Sequence, residues 1–300
     1  MPLALISEPM PIEQFHAMPH RLGWKHEYWD GRMRLSPSHT AIADFTMMIY
    51  EAQDFNSPPE QPQIGTLRGI TVDDETQLIQ LHLDAFETAV EYTGYDDGHY
   101  RKLTTQSIRS FLGHGQGKRR TAGRVELSQV IEQDGRLIAA MLIRKEHEEL
   151  IVQPVMVAPE HQRSGLARRL VNYVSDLLRA ANHTVLRSRC HLGNAASMNW
   201  HTSVGFEEQP SMFAASHRYQ HHLQMVRHHK TANRPEDAEY HRELANAYGQ
   251  LHQACKTLPV RQITVRRTSS PSNHHKTDWK SIVRFGKLFR DNSLVSNPKG

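Results

Sequence analysis

The segment with the clearest chemical potential joins a strand to a long helix. An apolar run, Val152–Val157, passes through a short turn into Gln162-Arg163-Ser164-Gly165-Leu166-Ala167, where the helix begins. A helix N-terminus carries unpaired backbone N–H groups and the positive end of the helix dipole. Gly165 lets a phosphate approach the backbone closely. Mobile positive charge around the turn is expected from Arg163, Arg168 and Arg169. The sequence predicts an anion site here, the alternative being an ordinary strand-to-helix connection.

A second segment, residues 192–206, reads LGNAASMNWHTSVGF. The first segment matches the pattern Q-x-x-G-x-A. The second has an Asn, a small residue three positions on, an aromatic pair and Gly-Phe. In this order and spacing they resemble the two signatures of the GNAT superfamily of acyl-CoA-dependent acetyltransferases, over about residues 66–210. Neither a Walker pattern nor an early G-x-G-x-x-G is present, which disfavours nucleoside triphosphates and dinucleotides.

The resemblance implies how acetyl-CoA would be held as co-substrate. The strand Val152–Val157 would splay from its neighbour Val185–Arg189, and the V-shaped gap would admit the pantetheine arm. The residues implied in binding are Met156 and Val157 on the strand edge, Gln162, Arg163, Ser164, Gly165, Leu166 and Ala167 at the pyrophosphate, and Asn194, Ser197 and Trp200 beside the pantetheine and thioester. No metal is expected.

The resemblance also implies two residues that would move protons. His201 stands where many relatives have a tyrosine that protonates the departing thiolate, and imidazole titrates near neutral pH. Glu149, beside Glu148, enters the cofactor strand where some relatives keep a general base. The alternatives are a His201 that only packs on the cofactor and glutamates that are solvated turn charges. Cys190 is interpreted as a small wall residue, and an acyl-cysteine route is the weaker alternative.

Hydrophobic periodicity predicts the elements that position these residues. Strands are predicted near residues 24–29, 32–35, 66–71, 125–132, 137–144, 150–157 and 184–189, with hairpin turns at Asp30-Gly31 and Asp134-Gly135. Helices are predicted near residues 75–89, 100–112, 164–181, 194–203, 212–226 and 240–251, with a break at Arg234-Pro235. The predicted fold is α/β or α+β, and the resemblance implies a GNAT-like mixed, mostly antiparallel central sheet flanked by helices.

Composition divides the chain into five regions. They are a small β module (1–52), a Pro-rich linker (53–65), the GNAT-like domain (66–210), a helical pair (211–257) and a basic tail (258–300). The 36 Lys and Arg and 32 Asp and Glu give a net charge of +4. The tail holds nine basic and two acidic residues, net +7, which leaves 27 against 30, net −3, for residues 1–257. An anionic partner for the tail is possible, the alternative being a solvated tail.

Five histidines crowd one predicted helix: His217, His221, His222, His228 and His229. His217 and His221 share a face, as metal ligands four residues apart would. No carboxylate or cysteine joins them within the helix, so a surface role is favoured over metal binding.

The sequence as a whole predicts an N-acetyltransferase that transfers an acetyl group directly from acetyl-CoA to a primary amine of a small molecule or peptide. One alternative is an acyl-CoA-binding sensor without turnover. The other is a nucleic-acid or membrane adaptor acting through the tail. Two cysteines and the lack of a long apolar stretch suggest a cytoplasmic protein, and a homodimer is possible.

Overall fold

The computed structural model describes residues 5–22, 24–37, 45–51, 64–92, 95–113, 125–146, 149–209 and 211–257. Three sequence expectations fall outside these ranges: the linker as far as residue 63, Glu148, and the basic tail 258–300. The chain forms two compact units. The first takes in residues 48–190 and 196–206, and the second takes in residues 4–47, 191–195 and those from 207 onward.

The strands are β1 (Leu5–Pro9), β2 (Trp24–Trp29), β3 (Arg32–Pro37), β4 (Phe45–Glu51), β5 (Thr66–Gly69), β6 (Gln129–Gln133), β7 (Arg136–Glu146), β8 (Glu149–Val157), β9 (Val185–His191) and β10 (Glu207–Gln209). The helices are α1 (Ile12–Ala17), α2 (Glu75–Ala85), α3 (Asp97–Phe111), α4 (Leu166–Ala180), α5 (Ala195–Ser203), α6 (Met212–Thr231) and α7 (Pro235–Thr257). Short 3-10 helices lie at Val72–Asp74, Val90–Tyr92, Val125–Leu127 and Pro159–His161.

Both predicted hairpins are confirmed. Asp30 and Gly31 have φ of 49° and 71°, and Asp134 and Gly135 have φ of 50° and 75°, as a two-residue type I′ turn requires. The predicted helix break is also confirmed, because α7 begins at Pro235. The strand predicted over residues 125–132 begins only at Gln129, since residues 125–127 form a 3-10 helix.

The first unit contains a mixed sheet in the order β4-β9-β8-β7-β6-β5. The pairs from β5 to β8 are antiparallel, whereas β8 and β9 are parallel. Side chains along β7 alternate between two cores, because successive residues of a strand point to opposite faces. Met141 packs with residues of α4, and Leu142 packs with residues of α2 and α3. The predicted mixed sheet flanked by helices is confirmed.

One polar network fixes the edge of this sheet. The Arg68 guanidinium in β5 donates to both carboxylate oxygens of buried Asp74 (2.8 Å each) and to Glu132 in β6 (2.7 Å). Although burial alone would raise the pKa of Asp74, hydrogen bonds from Arg68 and the Thr71 backbone hold it below its ordinary value. The strand edge and the start of α2 are thereby tied together.

The second unit combines a three-stranded sheet, β1-β3-β2, with the antiparallel pair α6 and α7. Arg218 in α6 and Glu208 in β10 form a buried ion pair at 2.5 Å, and the Arg218 guanidinium lies 5.4 Å from the Tyr248 ring centroid. In both units, none of the helices in the described ranges has the length and apolar composition needed to cross a bilayer.

Histidines form a continuous cluster within the second unit. His20 stacks on His26, and its Nδ1 lies 3.2 Å from Nδ1 of His221. His222 Nδ1 lies 2.9 Å from His241 Nδ1. The predicted helix face therefore packs against other elements, not against solvent alone. In the described part of the chain, no group of three or more ligand-type side chains is arranged to hold a metal ion.

Removing one partner of the buried ion pair is expected to cost stability. The substitution Glu208→Ala leaves the Arg218 charge buried without its carboxylate, so the free energy of unfolding should fall by about 3–5 kcal/mol. Glu239→Ala in α7 is the matched control, because Glu239 pairs with Arg242 on the exposed helix surface and should cost less than about 1 kcal/mol. Denaturant unfolding measures both, and equal losses would contradict the assignment.

Acid is expected to weaken the histidine cluster. Burial, with neighbouring His221 and His241, lowers the pKa of His222 to about 3, whereas an unfolded histidine titrates near 6.5. Below about pH 6.5 the unfolded chain therefore binds a proton at His222, whereas the folded chain does not. The free energy of unfolding thus falls as the pH is lowered from about 6.5 toward 3. Denaturant unfolding at pH 7.5, 6.0 and 5.0 should show this fall. The substitution His222→Gln should reduce the slope of the unfolding free energy against pH by up to about 1.4 kcal/mol per pH unit. An unchanged slope would contradict the prediction.

Candidate functional site

The turn between β8 and α4 has a backbone shape suited to an anion. Gly165 is the residue before the helix and has φ of 87°, a left-handed conformation that favours glycine. Arg163 also has a positive φ, 65°. The first turn of α4 contains no acidic residue, and the N–H groups of Leu166 and Ala167 have no carbonyl in their own helix. Within the predicted stretch, the N–H groups of Gln162 and Ser164 donate to the Pro159 and His161 carbonyl oxygens at 3.3 and 3.4 Å. The N–H groups at the start of α4 lie at the positive end of a 15-residue helix.

The charges around this turn differ from the expectation in two places. Arg168 donates to the Ser203 carbonyl oxygen (3.1 Å), and Arg169 donates to the carbonyl oxygen of Ile64 (2.6 Å). Both guanidinium groups fasten neighbouring backbone and are not the mobile charges that the sequence suggested. The Arg163 side chain is exposed beside the turn. Ser164 turns inward, and its hydroxyl donates to the His161 carbonyl oxygen.

The strand β8 loses its parallel partner before it ends. Pairing with β9 is limited to Ile151 with Arg187 and Val152 with Ser188. Pairing with β7 continues to Val157, with a register shift around Gln153-Pro154, where proline has no N–H to donate. The predicted splay therefore lies beyond Val152. Met156 has its side chain buried against α2. Because Ala158 donates to the Ile138 carbonyl oxygen in line with β7, the backbone groups of Met156 also face β7, and those of Val157 face the β9 side.

His201 in α5 is enclosed at the point where the two strands separate. It is 4% exposed, and its Nδ1 lies 2.7 Å from the Ser197 carbonyl oxygen. Because a carbonyl oxygen can only accept, Nδ1 carries the hydrogen. Burial lowers the pKa of His201 to about 4, despite the hydrogen bond to Ser197, so the ring is neutral at pH 7. The other nitrogen, Nε2, then accepts from the Ser188 hydroxyl at 2.8 Å.

Residues of α5 surround this histidine. The Trp200 ring lies edge-on to the His201 ring, with centroids 4.7 Å apart. Trp200 Nε1 is buried and has no hydrogen-bond partner in the described part of the chain. Ser197 contributes its carbonyl oxygen to His201. Asn194 belongs to the second unit, where its backbone N–H donates to the His191 carbonyl oxygen at 2.9 Å.

The structure does not bring Glu149 to the same place. Its carboxylate is half exposed and pairs with Arg187 at 3.0 Å. It lies three residues before Val152, about 10 Å along an extended strand. Cys190, two residues beyond Ser188 in β9, is buried in the core with residues of α4.

Ser188 is the site residue that sequence reasoning missed. It is 3% exposed and occupies the last position at which β9 pairs with β8. A serine within a predicted strand carries no signature of its own. Its significance comes from the register of β9 against β8 and from the helix that brings His201 to it.

Part of the chain matches a known protein family. Residues 83–206 match the model of the Acetyltransferase (GNAT) family, a range that includes β8, the Gly165 turn and α5. The match identifies a GNAT acetyltransferase domain over these residues, which make up less than half of the chain. A search of curated proteins gave no significant match.

Solved structures of GNAT proteins align with the chain at low identity. A GCN5-related N-acetyltransferase from Sphaerobacter thermophilus has a TM-score of 0.40 and 14% identity, covering 55% of this chain and 48% of its own. The Thermoplasma acidophilum PaiA N-acetyltransferase in complex with coenzyme A has a TM-score of 0.40 and 11% identity, covering 49% and 91%. The ribosomal-protein-S18-alanine N-acetyltransferase from Escherichia coli has a TM-score of 0.34 and 20% identity, covering 47% and 77%. The family assignment rests on the family model.

Replacing the glycine at the left-handed position of the turn is expected to lower stability. Gly165→Ala puts a Cβ on a residue with φ of 87° and should lower the free energy of unfolding by about 1–2 kcal/mol. The control Gly69→Ala has open space for its Cβ and no positive φ, so its effect should stay within about 0.5 kcal/mol. Denaturant unfolding compares the two variants. Equal effects would show that the turn does not require glycine.

Proposed function

We propose that the chain is an N-acetyltransferase that uses acetyl-CoA as co-substrate and a primary amine as acceptor. The observation that carries the proposal is the Gly165 turn. A left-handed glycine places the backbone N–H groups at the start of α4 directly after β8. Backbone N–H groups at a helix N-terminus bind phosphate through hydrogen bonds and the helix dipole. The family match at residues 83–206 supports pyrophosphate of an acyl-CoA as that anion.

The rest of the co-substrate would follow the free edge of β8. Met156 and Val157 lie beyond the last pair with β9, where the pantetheine arm would run, and the backbone groups of Val157 would bond its amides. The thioester would then lie toward the vertex where Val152 and Ser188 pair. Ser197 and Trp200 in α5 would flank the arm there, and Asn194 would bond it. Gln162 shapes the turn, with its amide 3.5 Å from the Val157 carbonyl oxygen.

Direct transfer needs little from the protein beyond placement and proton handling. A thioester is already activated, so a neutral amine held beside it can attack its carbonyl carbon without an enzyme nucleophile. The ammonium proton must leave and the departing thiolate must gain one. His201 and Glu149 are the two proton-handling residues proposed from the sequence. The geometry favours His201, since Glu149 pairs with Arg187 at the strand entrance.

Other features of the protein are proposed from the sequence alone. The acceptor is a small molecule or a peptide amine, in a cytoplasmic setting. The +7 tail at 258–300 is a candidate contact for an anionic partner, and a homodimer is a candidate assembly. The adaptor alternative predicts partner binding that is lost when residues 258–300 are removed and kept after Gly165→Glu.

Acetyl-CoA binding and thiol release test the proposal. Calorimetry should show saturable binding to the full chain. Gly165→Glu should weaken it by about 100-fold or more, because the carboxylate repels the pyrophosphate and removes one or two charge-assisted hydrogen bonds. A panel of spermidine, kanamycin and peptides with a free N-terminus or lysine is then screened for CoA release.

The control variant is Gly113→Glu, which adds the same charge at a glycine with φ of 88° and open space around it. It should bind acetyl-CoA as the parent does. Equal binding by Gly165→Glu and the parent would overturn the assignment of the turn. Binding by the parent without thiol release from any amine in the panel would favour the sensor over the enzyme.

A further inference from the structure

The vertex of the strand opening holds a hydrogen-bonded chain of three groups. The Ser188 hydroxyl donates to His201 Nε2 at 2.8 Å, and His201 Nδ1 donates to the Ser197 carbonyl oxygen at 2.7 Å. The direction of both bonds is set by the carbonyl, which has no hydrogen to give. A neutral imidazole in this tautomer is a proton acceptor toward Ser188. It has no hydrogen on Nε2 to offer a thiolate.

Ser188 stands between this imidazole and the opening. It is the last residue of β9 that pairs with β8, so the gap proposed for the thioester begins next to it. Ser188 and His201 are 3% and 4% exposed, which separates them from bulk water. A proton leaving His201 Nε2 therefore passes through the Ser188 hydroxyl.

We propose that Ser188 and His201 form one proton relay, with the Ser188 hydroxyl next to the reacting atoms and His201 positioned behind it. This inference rests on the proposed acetyl transfer. It assigns to Ser188 the transfer of protons to and from the reacting atoms. His201 then holds a proton temporarily and does not protonate the sulfur directly.

The relay balances the protons of the reaction. The amine nitrogen bonds to the thioester carbonyl carbon as the C=O π pair moves onto the carbonyl oxygen, and the resulting ammonium gives a proton to Ser188 Oγ as the Ser188 proton passes to His201 Nε2. The oxyanion then re-forms the C=O bond as the C–S bond breaks, and the C–S electron pair leaves on sulfur. His201 returns its proton to Ser188 Oγ as the Ser188 proton passes to the thiolate. The products are the amide and the CoA thiol, and both side chains regain their starting states.

The surroundings of His201 suit a temporary store. The Ser197 carbonyl stabilises the charged ring through its bond to Nδ1, and burial disfavours that charge more strongly, which keeps the pKa near 4. A charged ring with so low a pKa is a strong acid and returns its proton readily. At neutral pH, Nε2 of the ring carries no proton and can accept the next one.

Kinetics of single and double variants test the relay, with acetyl-CoA and the amine that the panel identifies. Ser188→Ala and His201→Gln should each lower kcat about 100-fold, the usual contribution of a positioned proton-transfer group. The KM and the calorimetric Kd for acetyl-CoA should stay within about twofold, because neither side chain holds the co-substrate. The double variant should be no slower than the slower single variant, since the two groups act as a unit. Ser188→Thr keeps a hydroxyl and should recover most of the rate.

The matched control is Ser175→Ala in α4. Ser175 is as buried as Ser188 and its hydroxyl donates only to the Val171 carbonyl oxygen in its own helix at 2.6 Å. Its kcat should equal that of the parent. Multiplicative losses in the double variant, or a Ser188→Ala rate within threefold of the parent, would overturn the relay alone. No CoA release by the parent would overturn the acetyl-transfer proposal and the relay together.

A second measurement is independent of turnover. Proton–nitrogen correlation spectra of the full chain should contain one neutral histidine protonated at Nδ1 whose signals disappear in His201→Gln. Ser188→Ala should shift its Nε2 resonance, because that nitrogen loses its donor. A proton on Nε2 of His201 would overturn the direction of the relay.

Discussion

The loss of pairing between β8 and β9 is the constraint on which the site depends. β8 is held by β7 along nearly its whole length but by β9 at only two positions, so its far half keeps one free backbone edge. A parallel strand with a free edge inside a sheet is unfavourable unless something else satisfies its N–H and carbonyl groups. The same strand leads directly into the Gly165 turn. One interruption thereby joins a backbone edge, the Gly165 turn and the Ser188 vertex.

Buried polar groups in this protein are handled in two ways, and the difference has a chemical meaning. Buried Asp74 and Arg218 are kept charged by partners that they contact directly, Arg68 and Glu208. Among the described residues, the ring nitrogens of His201 meet no carboxylate, only the Ser197 carbonyl and hydroxyl and the Ser188 hydroxyl, so burial drives the ring to the neutral form. Paired charges stabilise the fold, while the neutral imidazole keeps an Nε2 lone pair that accepts from the Ser188 hydroxyl.

The two compact units do not follow chain order. Residues 4–47 and the helices α6 and α7 belong to one unit, while β4, from Met48, joins the sheet of the other beside β9. The sequence grouped residues 41–50 with the preceding hairpin, because they follow it closely and are equally apolar. Strand pairing between segments more than 100 residues apart depends on the whole sheet, which local periodicity cannot predict.

The sequence by itself determined the elements and the two signatures. The Asp-Gly hairpins, the proline break before α7 and the glycine turn before α4 depend on backbone preferences of a few neighbouring residues, so their types and spacing suffice. Tertiary structure decided the surroundings of the residues that we propose handle protons. The side chain of His201 was visible as a candidate, but its tautomer depends on the Ser197 carbonyl and its burial on packing between α5 and the sheet. Glu149 and Ser188 lie on neighbouring strands. Only their positions in the β8 and β9 ladder show that Glu149 forms an ion pair at the strand entrance and that Ser188 places its hydroxyl at the vertex.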